Sequence, residues 1–303
     1  MKKVKNLTEN KIIVIAGPTA VGKTALSIDI ARKYDGEIIN GDSQQVYRDV
    51  HIGTAKATES EQAAVPHHLI DVRDLTETFS AHDFVSEANT AIADILSRGK
   101  LPIIVGGTGL YLQSLIEGYH LGGAGHHEEM RALRQELETL SDAQLFDKVA
   151  DLELEIPELN HRRAIRALEI AKFGEDLENH KSDKAFLIIG LNTARPVLYE
   201  RINQRVDLMM AVGLLDEAKM LYDQFSTAQV SRAIGYKEFF PYFDGQMTLE
   251  AAVEAVKQNS RRYSKRQITW FKNRMAVDFQ DILAPDFQEQ VDQKIEGFLD
   301  DKN

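Results

Sequence analysis

Along the first hundred residues, short aliphatic runs bounded by glycine alternate with stretches whose apolar positions recur every three or four residues. Lys11 to Ala16 is an unbroken run of buried-strand type, and Gly17 to Gly22 is a glycine-bounded loop. Lys23 to Lys33 has helical spacing, with Leu26, Ile30 and Lys33 along one side. Glu37-Ile38-Ile39 and His68-Leu69-Ile70-Asp71-Val72 predict two further strands. Ser80-Ala81-His82-Asp83 reads as a capping box. It opens a helix whose Phe84, Ala88, Ala91, Ile92 and Ile95 share a face, until Gly99 stops it. Leu101 to Val105 predicts another strand running into Gly106-Gly107. Strands alternating with amphipathic helices predict an α/β fold, a P-loop-type parallel sheet covered by helices on both faces.

The rhythm changes near Tyr119. Gly122-Gly123-Ala124-Gly125 is a flexible break, and from Glu128 to about Phe173 the pattern is helical throughout. Phe186 to Ile189 returns to a strand, and helices dominate from Arg195 onward. This predicts a catalytic core of residues 1–118 and 184–303, with an all-helical insert domain over 119–183. The last 28 residues hold eight acids against two lysines and predict a solvated acidic tail.

With 303 residues, 43% hydrophobic and 27% charged, the chain is long enough for about two domains and is of ordinary globular composition. It has no cysteine, which excludes a thiol nucleophile, an iron–sulfur cluster and a thiolate zinc site. No apolar run is long enough for a signal peptide or a membrane span, so a cytoplasmic protein with no membrane partner is expected. The net charge of −11, taken whole, argues against nucleic acid as a partner. The distribution of that charge argues the other way. Lys257 to Arg274 contains seven basic residues and no acid, and Arg262 with Arg266, or Arg261 with Lys265, are helical i, i+4 neighbours. Such a stripe suits phosphate. A smaller basic cluster, His161-Arg162-Arg163 with Arg166, lies in the insert.

Gly17-Pro18-Thr19-Ala20-Val21-Gly22-Lys23-Thr24 matches the pattern G-x-x-x-x-G-K-[ST] between a strand and a helix. Its glycines turn backbone amides inward around phosphate oxygens, Lys23 adds a cation, and the Thr24 hydroxyl can hold Mg²⁺. The pattern is that of ATP-binding and other nucleotide-binding loops, yet what it requires is a phosphate chain. No aliphatic strand ends in the lone aspartate of an ATPase, and no Asn-Lys-x-Asp reads guanine. Instead Asn40-Gly41-Asp42-Ser43-Gln44-Gln45-Val46-Tyr47 follows the second strand. Asp42 there suits a general base or a Mg²⁺ contact, and equally the cap of a short helix. His67-His68 and His126-His127 lack metal-ligand spacing and are expected to be structural or surface groups.

Several further blocks occur in order: Ile52-Gly53-Thr54-Ala55-Lys56, Pro66-His67-His68-Leu69-Ile70-Asp71, Val105-Gly106-Gly107-Thr108-Gly109-Leu110-Tyr111, Arg163 to Glu169, Ile234-Gly235-Tyr236 and Lys265-Arg266-Gln267-Ile268-Thr269-Trp270-Phe271. With the phosphate loop and Asp42-Ser43, they resemble the tRNA dimethylallyltransferases, also called tRNA isopentenyltransferases. The resemblance implies transfer of a dimethylallyl group from dimethylallyl diphosphate to N6 of the adenosine 3′-adjacent to the anticodon, with release of diphosphate. It implies Asp42 as base, Thr108 and Arg205 as further catalytic contacts, and Gly17 to Thr24 around the diphosphate with Mg²⁺ on Thr24. It also implies tRNA contacts at Asp42, Ser43, Gln44 and Gln45, at Arg162, Arg163 and Arg166, and at Arg261, Arg262, Lys265 and Arg266. A monomer acting on the anticodon arm is expected. The insert departs from the family pattern: its entry is glycine-rich rather than proline-rich, and Phe173-Gly174-Glu175-Asp176 replaces a basic turn. Rival readings are an adenylate isopentenyltransferase, a small-molecule kinase, and a nucleotide-gated RNA-binding switch without chemistry.

Overall fold

The computed structural model describes residues 10–119, 127–174 and 182–301, so Gly122 to Gly125, His126 and Glu175-Asp176 lie outside the described residues. At the centre of the first unit is β1 (Lys11–Ala16), in which Ile12 to Ala16 have no exposed surface. A strand covered on both faces gains nothing from alternation, which is why its apolar run is unbroken. It is followed by α1 (Lys23–Lys33), β2 (Gly36–Asn40), α2 (Glu59–Ala64), the two-residue β3 (His67–His68), α3 (Ala81–Ser97), β4 (Leu101–Gly106) and α4 (Gly109–Ile116). The second unit, Glu117–Lys181, carries α5 (His127–Glu138), α6 (Asp142–Asp151) and α7 (His161–Phe173). The chain then returns to the first unit through β5 (Ala185–Asn192), α8 (Arg195–Ala211), α9 (Leu214–Phe225), α10 (Phe240–Phe243), α11 (Leu249–Arg274), β6 (Phe279–Asp281) and α12 (Phe287–Asp300).

Six parallel strands form one sheet in the order β3-β2-β4-β1-β5-β6, the expected α/β architecture. Alternate residues of the central strands feed two cores. Ile12, Val14 and Ile104 meet Phe84, Ile92 and Ile95 of α3 on one face. Ile13, Ile15 and Ile103 meet Leu26 and Ile30 of α1 and Leu198 of α8 on the other. The capping box at Ser80 forms as its spacing predicts: the hydroxyl accepts from the Asp83 amide, and the Asp83 carboxylate accepts from the Ser80 amide. At the end of β4, a Cβ on Gly106 would lie 2.2 Å from the Gly41 carbonyl oxygen. Glycine there lets the loops after β2 and β4 run backbone against backbone.

Two expectations fail. The strand over His68 to Val72 stops after His68, because Leu69 and Asp71 take positive φ of 61° and 55°. The segment turns instead, and Asp71 accepts an ion-paired hydrogen bond from the buried Lys56. Nor is the acidic C-terminus a solvated tail. β6 pairs with β5, and α12 buries Val291 and Ile295 completely. Those two residues stand i, i+4, a one-turn apolar stripe that the count of acids concealed. The acids lie on the outer face, where Asp292 and Glu296 pair with Lys33.

The second unit is helical through its described elements and packs Leu137, Leu145, Val149, Ala164, Ile165 and Leu168 together. A buried charge within it is well supplied with donors. The Glu169 carboxylate, 1% exposed, accepts from Arg134 at 2.6 and 2.8 Å and from Arg166 at 3.1 Å.

Candidate active site

The loops at the carboxyl ends of β1, β2, β4 and β5 converge, the place where open α/β sheets bind ligands. Gly17 to Gly22 links β1 to α1, whose N-cap is Gly22 at φ 100° with no side-chain cap. The first-turn amides of α1 are thus left to an anion. Lys23 folds back over this loop and donates to the Gly17 and Pro18 carbonyls at 3.0 and 2.7 Å. Burial lowers the Lys23 pKa to about 8, opposed by the Asp42 charge and reinforced by Arg205. Arg205, from the middle of α8, donates to Thr19 Oγ1 at 3.2 Å. Burial pulls its pKa down as well, and the Asp42 charge works against that.

Asp42 takes the cap position its sequence context allows and stands among cations as well. Its Oδ1 accepts the Gln44 amide at 2.9 Å, so it caps the turn after β2. It also lies within electrostatic reach of Lys23 and Arg205. Burial raises its pKa above the usual carboxylate range, against the opposing pull of the Gln44 amide and of those two cations. Thr108 ties the two loops together: its hydroxyl accepts the Ser43 amide at 3.1 Å. Gln44 donates to Ser43 Oγ at 3.1 Å, and Gln45 donates to the Thr54 and Ala55 carbonyls at 3.3 and 3.1 Å. The four residues Asp42 to Gln45 are half-buried in succession.

Two functional positions carry no signal of their own in the sequence, although they lie in or beside the motif Lys265 to Phe271. Gln267 accepts the Thr19 amide at 2.9 Å and donates to the Gly107 carbonyl at 2.9 Å, so α11 pins the phosphate loop to the glycine pair after β4. The Tyr263 phenol is pushed up in pKa by burial and the Asp42 charge, while hydrogen bonds to Thr108 and Gln267 oppose the rise. A glutamine bonded across 248 residues leaves no local trace.

The basic helix divides by partner. Lys257 pairs with Asp207 at 2.5 Å, and Arg261 bonds Glu254 at 2.8 Å and Asn203 at 2.6 Å. Arg262, Lys265 and Arg266 are exposed, and among the described residues no ion pair engages them. Arg266 lies over the Tyr263 ring, 5.6 Å from its centroid. In the second unit, Arg163 donates to Glu158 Oε2 at 2.9 Å and to the Pro157 and Glu158 carbonyls. Arg166 is bound to Glu169, whereas Arg162 is exposed. His68 bonds Glu37 and His67 bonds the Val65 carbonyl. Among the described residues no three His, Cys, Asp or Glu side chains gather to hold a metal.

A cleft of about 870 Å³ is lined by Thr24 and Arg205 at one end, with Ile52, Ala55, Leu208, Met209 and Val212 forming an apolar wall. The Thr24 hydroxyl has no hydrogen-bond partner among the described residues and lies at the mouth of the loop. One hard oxygen donor beside an anion-binding loop fits Mg²⁺, which keeps several waters and takes its other ligands from phosphate oxygens. No helix among the described residues is long and apolar enough to cross a membrane.

Comparison with known proteins shows the family of the chain. Residues 45–274 match the family model of IPP transferase. A tRNA dimethylallyltransferase of Lactococcus lactis subsp. lactis is 63% identical over 293 residues, covering 97% of this chain and 100% of that protein. One from Streptococcus thermophilus is 60% identical over 294 residues, 97% of this chain and 98% of that protein. The crystal structure of the tRNA isopentenylpyrophosphate transferase of Bacillus halodurans aligns with a TM-score of 0.74 at 44% identity, over 96% of this chain and 97% of that one. A eukaryotic dimethylallyltransferase captured acting on tRNA aligns with a TM-score of 0.77 at 32% identity, over 95% of this chain and 78% of that one.

Proposed function

The chain belongs to the IPP transferase family and catalyses prenyl transfer to tRNA, and from that premise we propose how its cleft carries out the reaction. The prenyl donor is dimethylallyl diphosphate and the acceptor is N6 of the adenosine 3′-adjacent to the anticodon. The Gly17 to Thr24 loop, Lys23 and Arg205 hold the diphosphate, and Thr24 is the residue that would hold Mg²⁺. When bound, Mg²⁺ supplies further neutralisation of the leaving group.

An exocyclic amine is a poor nucleophile, because its lone pair is delocalised into the ring. As the N6–C bond forms and the allylic C–O bond breaks, Asp42 takes the N6 proton and diphosphate departs with the bonding electrons. Positive charge grows on the allylic carbon and negative charge on the leaving oxygen. Cations fixed around that oxygen therefore stabilise the transition state more than the ground state. Thr108 positions the Asp42–Ser43 turn through the Ser43 amide. An adenosine stacked in its arm cannot bring N6 to a half-buried base beside the phosphate loop, so the nucleotide is extruded.

The observation that carries this reading is the pairing of a proton acceptor, Asp42, with two cations whose hydrogen bonds among the described residues go to neutral oxygens. The test is mass spectrometry of tRNA incubated with protein, Mg²⁺ and dimethylallyl diphosphate. One dimethylallyl group on the adenosine next to the anticodon is expected. Prenylation of free AMP in preference to tRNA, or tRNA-independent ATP turnover, would overturn it.

A further inference from the structure

Beside the phosphate loop, on its β5 side, lies a second cavity of about 260 Å³. One wall is Asn192 and Thr193 with Arg195, Leu198 and Tyr199 of the first turns of α8; the other is Ser264, Lys265, Ile268 and Thr269 of α11. No acid lines it. The 17-residue α8 has Ala194 at its N-cap, which offers no side-chain cap, and Pro196 in its first turn has no N–H, so the amides of Arg195 and Val197 and the helix dipole favour negative charge. Arg195 and Lys265 are exposed cations, and among the described residues neither is engaged in an ion pair.

An independent observation points to a ligand. Thr193 is 7% exposed, it lines the cavity, and among the described residues its Oγ1 has no hydrogen-bond partner. Buried hydroxyls are rarely left unpaired in folded proteins. The Asn192 Oδ1 is likewise buried and unpartnered, and as an acceptor it calls for a donor. Amides, a hydroxyl and two cations suit a phosphate group, while Asn192 suits a hydroxyl next to it. RNA carries both, a phosphodiester flanked by a 2′-hydroxyl.

The location agrees. A Cβ on Gly17 would stand 2.7 Å from the carbonyl oxygen of Leu191, the residue before Asn192. Gln267, between the cavity-lining Ser264 and Ile268, holds the phosphate loop itself.

We propose that this cavity is a ribose-phosphate subsite, which grips one backbone phosphodiester of the RNA near the extruded adenosine. It rests on the prenyl-transfer reading above, and it adds Thr193 and Arg195 to the binding residues. Its logic is that phosphate contacts fix register without reading sequence.

The test uses the full chain and an anticodon stem-loop RNA. Arg195→Ala flattens the slope of log K against log salt by about 0.7–0.9, while the KM for dimethylallyl diphosphate is unchanged. Arg32→Ala, which removes one exposed charge at the end of α1, leaves the slope as it was. A single methylphosphonate linkage weakens binding to the wild type but not to Arg195→Ala, and Thr193→Val weakens RNA binding several-fold without loss of folding. Thr193→Val that raises thermal stability and leaves RNA affinity intact would overturn the subsite. So would an Arg195→Ala variant altered only in its inhibition by free diphosphate or inorganic phosphate. If the wild type prenylates the RNA while both variants bind it normally, this inference alone fails. If the wild type neither binds nor prenylates it, the reading beneath fails as well.

Discussion

The phosphate cradle and the helical unit both gather basic side chains and put them to opposite uses. In the cradle, Lys23 donates to two carbonyls and Arg205 to a hydroxyl, so among the described residues the hydrogen bonds of both cations go to neutral oxygens. In the helical unit, Arg134 and Arg166 converge on Glu169, and Arg163 clasps Glu158. The cradle bears the cost of burying charge, seen in a Lys23 pKa lowered to about 8. An arrangement that strains its own cations is relieved once an anion arrives. In the helical unit Arg134, Arg163 and Arg166 are answered by acids of the same unit, while Arg162 stays exposed. A cation's partner therefore says more about its task than its position in a basic cluster.

The largest effect separates the base from the cations around it. Asp42→Asn keeps the cap of the Gln44 amide and removes the proton acceptor, so kcat should fall about 10²–10⁴-fold with tRNA affinity little changed. Activity within a few-fold of wild type would make Asp42 a cap and nothing more. Lys23→Ala should lower kcat/KM by about 10²–10³ and leave tRNA binding intact, measured as prenyl incorporation at fixed tRNA. The pH profile follows from the same pair. Asp42 must be ionised, and its raised pKa places the acid limb above the ordinary carboxylate range. Lys23 must be charged, so kcat/KM should fall as pH rises through about 8, and Lys23→Arg should move that limb upward. A profile without this alkaline limb would show that the lysine charge is not needed.

Much of the cradle was legible because its chemistry is local: eight consecutive residues running from the end of a strand into a helix, then Asp42 one strand later. The fold was legible where a single periodicity governed burial, as in β1 and the α3 face of Phe84, Ile92 and Ile95. It failed where composition masked a narrow stripe, at Val291 and Ile295 of α12. The bridging role of Gln267 was not legible, since its partners Thr19 and Gly107 are 248 and 160 residues away. Arg195 gave no signal either, being a single arginine outside any cluster. In the helical unit the sequence showed a basic patch, and the ion pairs that occupy Arg163 and Arg166 depend on tertiary contacts.

Gln267 sets how far the cradle depends on α11. Gln267→Leu removes both bonds, leaves the Thr19 amide and Gly107 carbonyl unpaired, and lets the phosphate loop shift. A fall of roughly 10–100-fold in kcat/KM for the prenyl diphosphate is expected, the scale of a small misplacement of reacting groups. If only thermal stability falls, the loop is held by α1 and β1 alone.

On the outer face of the same helix, Arg262 and Arg266 lie one turn apart with no ion pair engaging them among the described residues. Neutralising both should flatten the slope of log K for tRNA against log salt by about 1.4–1.8, with prenyl diphosphate binding unaffected. Arg261, engaged with Glu254 and Asn203, should contribute stability instead, and Arg261→Ala should leave the slope nearly unchanged. A slope that responds to Arg261 and not to Arg262 and Arg266 would reverse this division of the helix.

The smallest effects test the comparison where it began, inside the helical unit. Arg162→Ala removes an exposed arginine, so it should flatten the tRNA salt slope by about 0.7–0.9 and leave the melting temperature in place. Arg166→Ala should do the reverse. It deprives the buried Glu169 carboxylate of one charged donor while Arg134 still holds it by two bonds. A loss of about 1–3 kcal/mol is expected, seen as a lower melting temperature with the salt slope unchanged. Arg166→Lys, which restores a cation without the guanidinium fork, should recover part of that stability. If Arg166→Ala flattened the slope at full stability, an arginine bonded to a buried glutamate would still be reaching RNA phosphate. The rule that internal partners remove a cation from substrate binding would then fail for this unit and hold for α11 alone.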